Sequence, residues 1–173
     1  RNTFAASAGV AGFPYIIPSS ALGLDGAIAP SNRITIASIG VGGQGSYDTQ
    51  GLMNVPEAQL VAVCDVDTAH REKAKKMVED FYAAKTETDY KGCATYNEFE
   101  RIVERADIDA VIVATPDHWH APISLAAVRS GKDVYVQKPM TLTVREGRLM
   151  SDVAKQYGAI LQVGSQQRSE RAF

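Results

Sequence analysis

Long apolar runs are missing from this sequence: nowhere do about eighteen apolar residues follow one another, which excludes an ordinary membrane-spanning helix. Charge of one sign is missing too. Eighteen Lys and Arg against 20 Asp and Glu leave a net charge of −2, so no broad basic field exists to attract nucleic acid. Cysteine is scarce, with only Cys64 and Cys93. They form no Cys-x-x-Cys redox motif, and Cys64, inside the run Leu60-Val61-Ala62-Val63-Cys64, reads as a small core hydrophobe. Internal repeats and low-complexity tracts are absent. What remains is 173 residues with 45% hydrophobic and 22% charged content, the balance of a soluble globular chain with room for one domain and a tail.

The stretch from Phe4 to Ile17 is apolar, uncharged and rich in small residues. Arg1 precedes it, and Pro18-Ser19-Ser20-Ala21 follows with a small-x-small pattern. This is the layout of an export signal, and Ala and Gly in place of Leu fit the twin-arginine type better than the general secretory type. Residues 1–30 are therefore expected to be either such a signal or an N-terminal arm, with periplasmic or extracellular localisation under the first reading and cytoplasmic under the second. Because the chain starts at Arg1 and stops at Phe173, a processed or partial start and a further domain downstream are also expected.

From residue 31 to 165 short β-type runs alternate with helical stretches. Strands are expected at Ile34–Ile39, Leu60–Cys64, Cys93–Tyr96, Ala110–Ala114, Val134–Val136 and Ile160–Val163. Helices are expected from Gly45 to Met53, from an Asp67 cap to about Lys85, and from an Asn97/Glu100 capping box to about Ala106. Two more follow, from Pro122 to Arg129 and from a Thr143/Glu146 capping box to about Tyr157, where Gly158 stops the last. Unbroken apolar strands separated by helices imply a doubly wound α/β fold, a mostly parallel sheet covered on both faces.

The first strand runs into Gly40-Val41-Gly42-Gly43-Gln44-Gly45, which in turn opens a helix. In that context a Gly-x-Gly-x-x-Gly turn has a definite physical reading. The first glycine permits the tight turn, the second lets backbone approach a pyrophosphate, and the third lets helix and strand pack closely. The helix N-terminus then supplies amide donors to the phosphates. Asp65 ends the second strand about 20 residues beyond Gly45, where a carboxylate accepts the adenosine ribose hydroxyls. Asp65, with Asp67 nearby, would repel a 2′-phosphate, so NAD is expected over NADP.

Sites in open α/β sheets gather at the carboxyl ends of strands. Those ends carry Thr115-Pro116-Asp117-His118-Trp119-His120, then Gln137-Lys138-Pro139, then Gly164-Ser165-Gln166-Gln167-Arg168. Thr115 and Pro116 are expected to line the cofactor, and His118 or His120 to cap the next helix or face the ribose. No third ligand accompanies the His-x-His pair, so a metal is not expected. Lys138 is the catalytic candidate, able to stabilise developing charge on a substrate oxygen or to help remove its proton. Gln166 joins the cofactor-binding set, and Arg168 is a candidate substrate contact. Residues 166–173 are read as the start of a link onward.

Four motifs occur together and in order: the glycine turn, Val63-Cys64-Asp65-Val66-Asp67, Ala114-Thr115-Pro116-x-x-x-His120, and Gln137-Lys138-Pro139. Together they resemble the N-terminal domain of the glucose-fructose oxidoreductase/inositol dehydrogenase/rhizopine-catabolism (Gfo/Idh/MocA) family, over about residues 33–170. The resemblance implies an NAD(P)-dependent oxidoreductase that moves a hydride between a sugar or polyol carbinol and the nicotinamide. It implies that the family's Glu-Lys-Pro motif falls on Gln137, Lys138 and Pro139, with Lys138 contacting nicotinamide ribose and substrate, and with a Lys138–Pro139 bond that is often cis. Gln137 departs from the pattern, because an amide cannot carry the charge of Glu but can still hydrogen-bond. The resemblance further implies a second, α+β domain, absent here, that brings the catalytic histidine and much of the pocket, and the leader is similar to those of exported members. A homo-oligomer is expected of the full-length protein. Two other readings share the cofactor domain: a glycosidase using NAD for transient oxidation, and a non-catalytic dinucleotide-binding module.

Overall fold

A computed structural model describes residues 28–86 and 89–169. The chain divides into two units, Arg1–Asn32 and Arg33–Phe173. Of the first, only residues 28–32 are described, ending in a 3-10 turn at Pro30–Asn32. The proposed export segment lies outside the described residues.

The second unit is a six-stranded sheet in the order β3-β2-β1-β4-β5-β6, every adjacent pair parallel. The strands are β1 (Ile34–Ile39), β2 (Ala58–Cys64), β3 (Ala94–Tyr96), β4 (Ala110–Val113), β5 (Asp133–Val136) and β6 (Leu161–Val163), and the helices are α1 (Gly43–Met53), α2 (Thr68–Thr86), α3 (Glu100–Val103), α4 (Asp117–Arg129) and α5 (Val144–Tyr157). The order steps outward from β1 in both directions, so the topology reverses between β1 and β4, and a ligand crevice opens at that switch point.

Side chains leave a strand alternately to its two faces, and both faces here are covered. Ile36, Leu60 and Ile112 pack with Met53, Ala74, Val78 and Tyr82 of α1 and α2. Ala37, Val111, Val113, Val134 and Val136 pack with Ile102, Ala127, Val128, Met150 and Val153 of α3, α4 and α5. Ile102 and Leu60 are fully buried; truncating either to Ala costs about 2–5 kcal/mol. Between β1 and α1 a buried Ser38–Thr49 hydroxyl pair (2.7 Å) is completed by donation from Thr49 to the Gly45 carbonyl (2.6 Å).

Three helix starts differ from the sequence expectation, the first being α1, which begins at Gly43 rather than Gly45. The Asn97/Glu100 capping box does not form: α3 begins at Glu100, and the residue at its cap position is Phe99, with no side-chain bond. Asn97 lies two residues too early to cap, and the chain turns there so that Phe99 packs beside Trp119, ring centroids 6.0 Å apart. The helix begun at Glu100 then lasts only to Val103. Conversely, α4 starts at Asp117 and carries Pro122 inside it. Proline suggested a first helical position, but the buried face Ala121-Ile123-Ser124-Ala127-Val128 outweighs one missing backbone bond. The other caps form as expected. Asp67 accepts from Ala69 and His70 backbone (2.7 and 3.2 Å), and these amides hold its carboxyl below the usual range. Thr143 and Glu146 complete a reciprocal box, and Gly158 ends α5 at φ 67°.

Candidate dinucleotide site

The glycine turn divides into two kinds of glycine. Gly40 sits at φ 82°, and a Cβ there would lie 2.6 Å from the Ala114 carbonyl oxygen. A Cβ on Gly45 would lie 1.8 Å from the Gly40 carbonyl oxygen. These two are glycine because the protein itself leaves no room. At Gly42 the nearest neighbour is the His70 ring at 3.5 Å, and at Gly43 nothing stands within 4 Å. Gly42 meets only ordinary contact and Gly43 open space, which suits a backbone approached by a ligand. Gly42 caps α1, and the first turn itself holds no acid, so the helix presents its first N–H groups and partial positive charge to the crevice. Gln44 turns away to donate to Asp48 (2.9 Å).

Asp65 is only 11% exposed. Its Oδ2 accepts from the Val41 backbone N–H (2.8 Å) and its Oδ1 from that of Asp67 (2.9 Å). A carboxylate has about four acceptor positions, so capacity remains on both oxygens. The carboxylate thus belongs to the turn and to the crevice at once. His70 Nδ1 stands 3.7 Å from it. Arg71 is drawn the other way, donating to the Asp65 carbonyl (2.6 Å) and to Thr68 Oγ1 (3.2 Å).

A cleft of about 580 Å³ opens between the turn and the ends of β2, β3 and β4. Gly40, Gly42, Asp65, Val66, Phe99, Thr115, Pro116, His118 and Trp119 are among the residues that line it. Val66 is 88% exposed and Trp119 45%, so flat apolar surface faces the cleft mouth. Cys64 also lines it, but burial, reinforced by the Asp65 charge, pushes its thiol up to about 12. Its reactive thiolate is suppressed. Thr115 Oγ1 and Gln166 Nε2 are buried polar atoms without a partner. Such atoms are costly, and a dinucleotide along the carboxyl edge offers hydroxyl and amide groups to meet them. The residues therefore fit NAD or NADP.

Beyond the cleft lies the second half of the rim. His120 is not in the cleft. It is 1% exposed, its Nδ1 2.6 Å from the Pro139 carbonyl and its Nε2 2.8 Å from the Thr115 carbonyl. It ties the loop after β4 to the turn after β5. Neither His118 nor His120 caps α4, whose cap position is Pro116 with no side-chain bond; the fixed backbone of Pro116 leads into the helix directly. His118 faces the cleft, so the two histidines diverge. Gln137 is 3% exposed and donates from Nε2 to Asp48 Oδ2. Lys138 follows it, exposed at the strand end, and the Lys138–Pro139 bond is cis. Arg168 lies in a 3-10 turn, Gln166–Ser169, and is exposed.

Gly40, Gly42, Asp65, Thr115, Pro116 and His118 thus meet around one cleft, while Gln137, Lys138, Gln166 and Arg168 stand along the β5 and β6 ends. Sequence reading passed over Val66, His70, Asn97, Phe99 and Trp119. The rule that sites gather at carboxyl ends holds for β2 and β3 as much as for β4 to β6, and applying it there would have found the first four.

The strand order, the glycine turn and Asp65 at the β2 end define a dinucleotide-binding Rossmann domain. The family described as "Oxidoreductase family, NAD-binding Rossmann fold" (Gfo/Idh/MocA) matches residues 34–165, and the chain belongs to it. Over 143 residues it is 31% identical to scyllo-inositol 2-dehydrogenase (NAD(+)) of Bacillus subtilis, covering 82% of this chain and 38% of that protein. Over 139 residues it is 31% identical to alpha-N-acetylgalactosaminidase of Shewanella oneidensis, covering 80% of this chain and 30% of that protein. A crystal structure of scyllo-inositol dehydrogenase from Lactobacillus casei with bound NAD(H) and scyllo-inositol superposes with a TM-score of 0.69 at 25% identity, over 81% of this chain and 38% of that one. The chain spans about a third of the length of these relatives.

Proposed function

We propose that this domain is the cofactor-binding half of an NAD-dependent oxidoreductase acting on a sugar or polyol. The observation that carries the reading is Asp65: a mostly buried carboxylate that braces the glycine turn through Val41 N–H and still faces the cleft. A ribose diol can donate to it; a 2′-phosphate would meet its charge. Arg71, the cation best placed to offset that charge, is engaged by backbone and Thr68. When bound, NAD supplies the hydride acceptor. The chain's own part is to hold the pyrophosphate on the α1 amides, the adenosine ribose on Asp65, and the flat ring of the base in the apolar mouth near Val66 and Trp119. Lys138, at the β5 end, is placed to stabilise charge on a substrate oxygen. The similarity to the Lactobacillus and Bacillus dehydrogenases supports a polyol or sugar.

The test uses the full-length protein. Trp119 is the sequence's single Trp and lines the cleft, so titration with NAD should change its fluorescence at lower concentration than titration with NADP. Equal or reversed preference would sink the NAD assignment. Incubation with inositols and hexoses should then accumulate reduced nicotinamide. The similarity to alpha-N-acetylgalactosaminidase supports a second reading, a glycosidase with no net redox; cleavage of an aryl N-acetylgalactosaminide without that accumulation would decide for it. Export remains a proposal resting on residues 1–30, and a reporter fused after Ala29 that stays in the cytoplasm would remove it.

A further inference from the structure

Position 137 makes two demands that no ionised acid can meet. Its side chain is 3% exposed. One end, Oε1, accepts the Lys138 backbone N–H at 3.2 Å. The other, Nε2, donates to Asp48 Oδ2, whose second oxygen accepts from Gln44 of the glycine turn at 2.9 Å. Reversing the amide would set oxygen against oxygen at Asp48. Gly164 leaves the space: a Cβ there would lie 2.9 Å from the Tyr135 hydroxyl and 3.2 Å from Gln137 Oε1. We infer that Asp48 is a positioning residue that orients the Lys138 turn through Gln137, and that it fixes residue 137 as an amide. The chain Gln44–Asp48–Gln137–Lys138 N–H then joins the phosphate turn on α1 to the proposed catalytic lysine after β5.

Glutamate at position 137 would place an acceptor-only group against Asp48, and the two carboxylates would have to share a proton. The other titratable group that feels Asp48 is Tyr135, whose hydroxyl is held above its usual range by burial first and by Asp48 second; it stays protonated through neutral pH. Exchanging the two groups, Asp48→Asn with Gln137→Glu, keeps each bond. The amide then at position 48 donates to the carboxylate at position 137 and accepts from Gln44. That carboxylate still accepts from the Lys138 N–H.

The inference of a role for Lys138 rests on the function proposed above; the Asp48–Gln137 pair does not. The wild type, Q137E, D48N and the exchanged double variant, all full length, are followed by melting temperature and by NAD titration from mildly acidic to mildly alkaline pH. Q137E should bind NAD on the order of tenfold to a hundredfold more weakly at alkaline pH, recover as the solution is acidified, and melt lower with the same pH profile. The exchanged variant should restore both readouts across the range. Were Q137E unable to fold, a folded exchanged variant would serve as the rescue. A Q137E protein that matches wild type, a loss without pH dependence, or an exchanged variant no better than Q137E would each overturn the pair. Failure of wild type to bind either dinucleotide would overturn the function instead, and the melting readout would still decide the pair.

Discussion

The two halves of the carboxyl rim are held together by different means. On the β1–β2 side the donors are backbone amides: Gly40 N–H donates to the Cys64 carbonyl (2.8 Å), Val41 N–H to the Asp65 side chain, and Gly45 fits because it has no side chain at all. On the β4–β5 side the loops are fastened by side chains, His120 to Pro139 and Gln137 to Asp48. The first arrangement shapes the cradle by backbone contacts with the end of β2 and with Ala114 after β4. The second ties the lysine turn to α4 and α1, so its geometry depends on the side chains those helices present. A cofactor needs the former; a reacting group that must meet a substrate is positioned by the latter.

The glycine cradle breaks most sharply at Gly45. Gly45→Ala drives a methyl into the Gly40 carbonyl, and overpacking against backbone costs about 3 kcal/mol or more. A large fall in melting temperature is expected, with loss of cofactor binding. Gly43→Ala, two residues away in open space, should hold or gain stability, since alanine in a helix is favoured over glycine by about 0.5–1 kcal/mol. Similar melting temperatures for the two variants would refute the division of the turn into two kinds of glycine.

On the other side the corresponding break is His120→Leu. It leaves the Thr115 and Pro139 carbonyls without this bridge, and a buried carbonyl left unsatisfied costs about 1–3 kcal/mol. Denaturant titration should register a loss of about 2–3 kcal/mol. If His120 were a ligand for cofactor rather than a tie between loops, cofactor affinity would fall while stability held.

Asp65→Ala tests where the two halves share the cofactor. It removes a turn brace and a ribose acceptor together, so NAD affinity should drop about tenfold to a hundredfold. Relative affinity for NADP should rise, because the charge opposing a 2′-phosphate is gone. Calorimetric titration with both dinucleotides measures this. A uniform loss for both would confine Asp65 to bracing the turn.

The same contrast explains what was legible in the sequence. The alternation of parallel strands with helices, the α2 and α5 caps and the glycine turn with Asp65 follow from local patterns: runs of apolar residues, residues at cap positions, and a motif whose spacing is set by one turn and one crossover. His120 and Gln137 could be picked out as site residues, but their partners could not. The Pro139 carbonyl and Asp48 are 19 and 89 residues away, and nothing in local spacing points to them. The cap at Asn97 misled because a side chain two residues off register looks the same in sequence as one in place. That the Phe99 and Trp119 rings meet shows only when β3 and β4 are set on either side of β2 and β1.

The smallest expected effect is the most discriminating between scaffold and site. Thr143 caps α5 a few residues after the Lys138 turn, accepting from Glu146 N–H at 3.3 Å while the Glu146 side chain accepts from Thr143 N–H at 2.8 Å. Thr143→Ala should cost about 1 kcal/mol, which for a domain of this size lowers the melting temperature by about 3 °C. It touches neither the cleft nor the His120 and Gln137 ties, so NAD affinity by Trp119 fluorescence should stay at the wild-type value. If affinity falls with stability, the lysine turn takes its orientation from the α5 cap as well, and the β4–β5 half is a single cooperative unit rather than one held at His120 and Gln137.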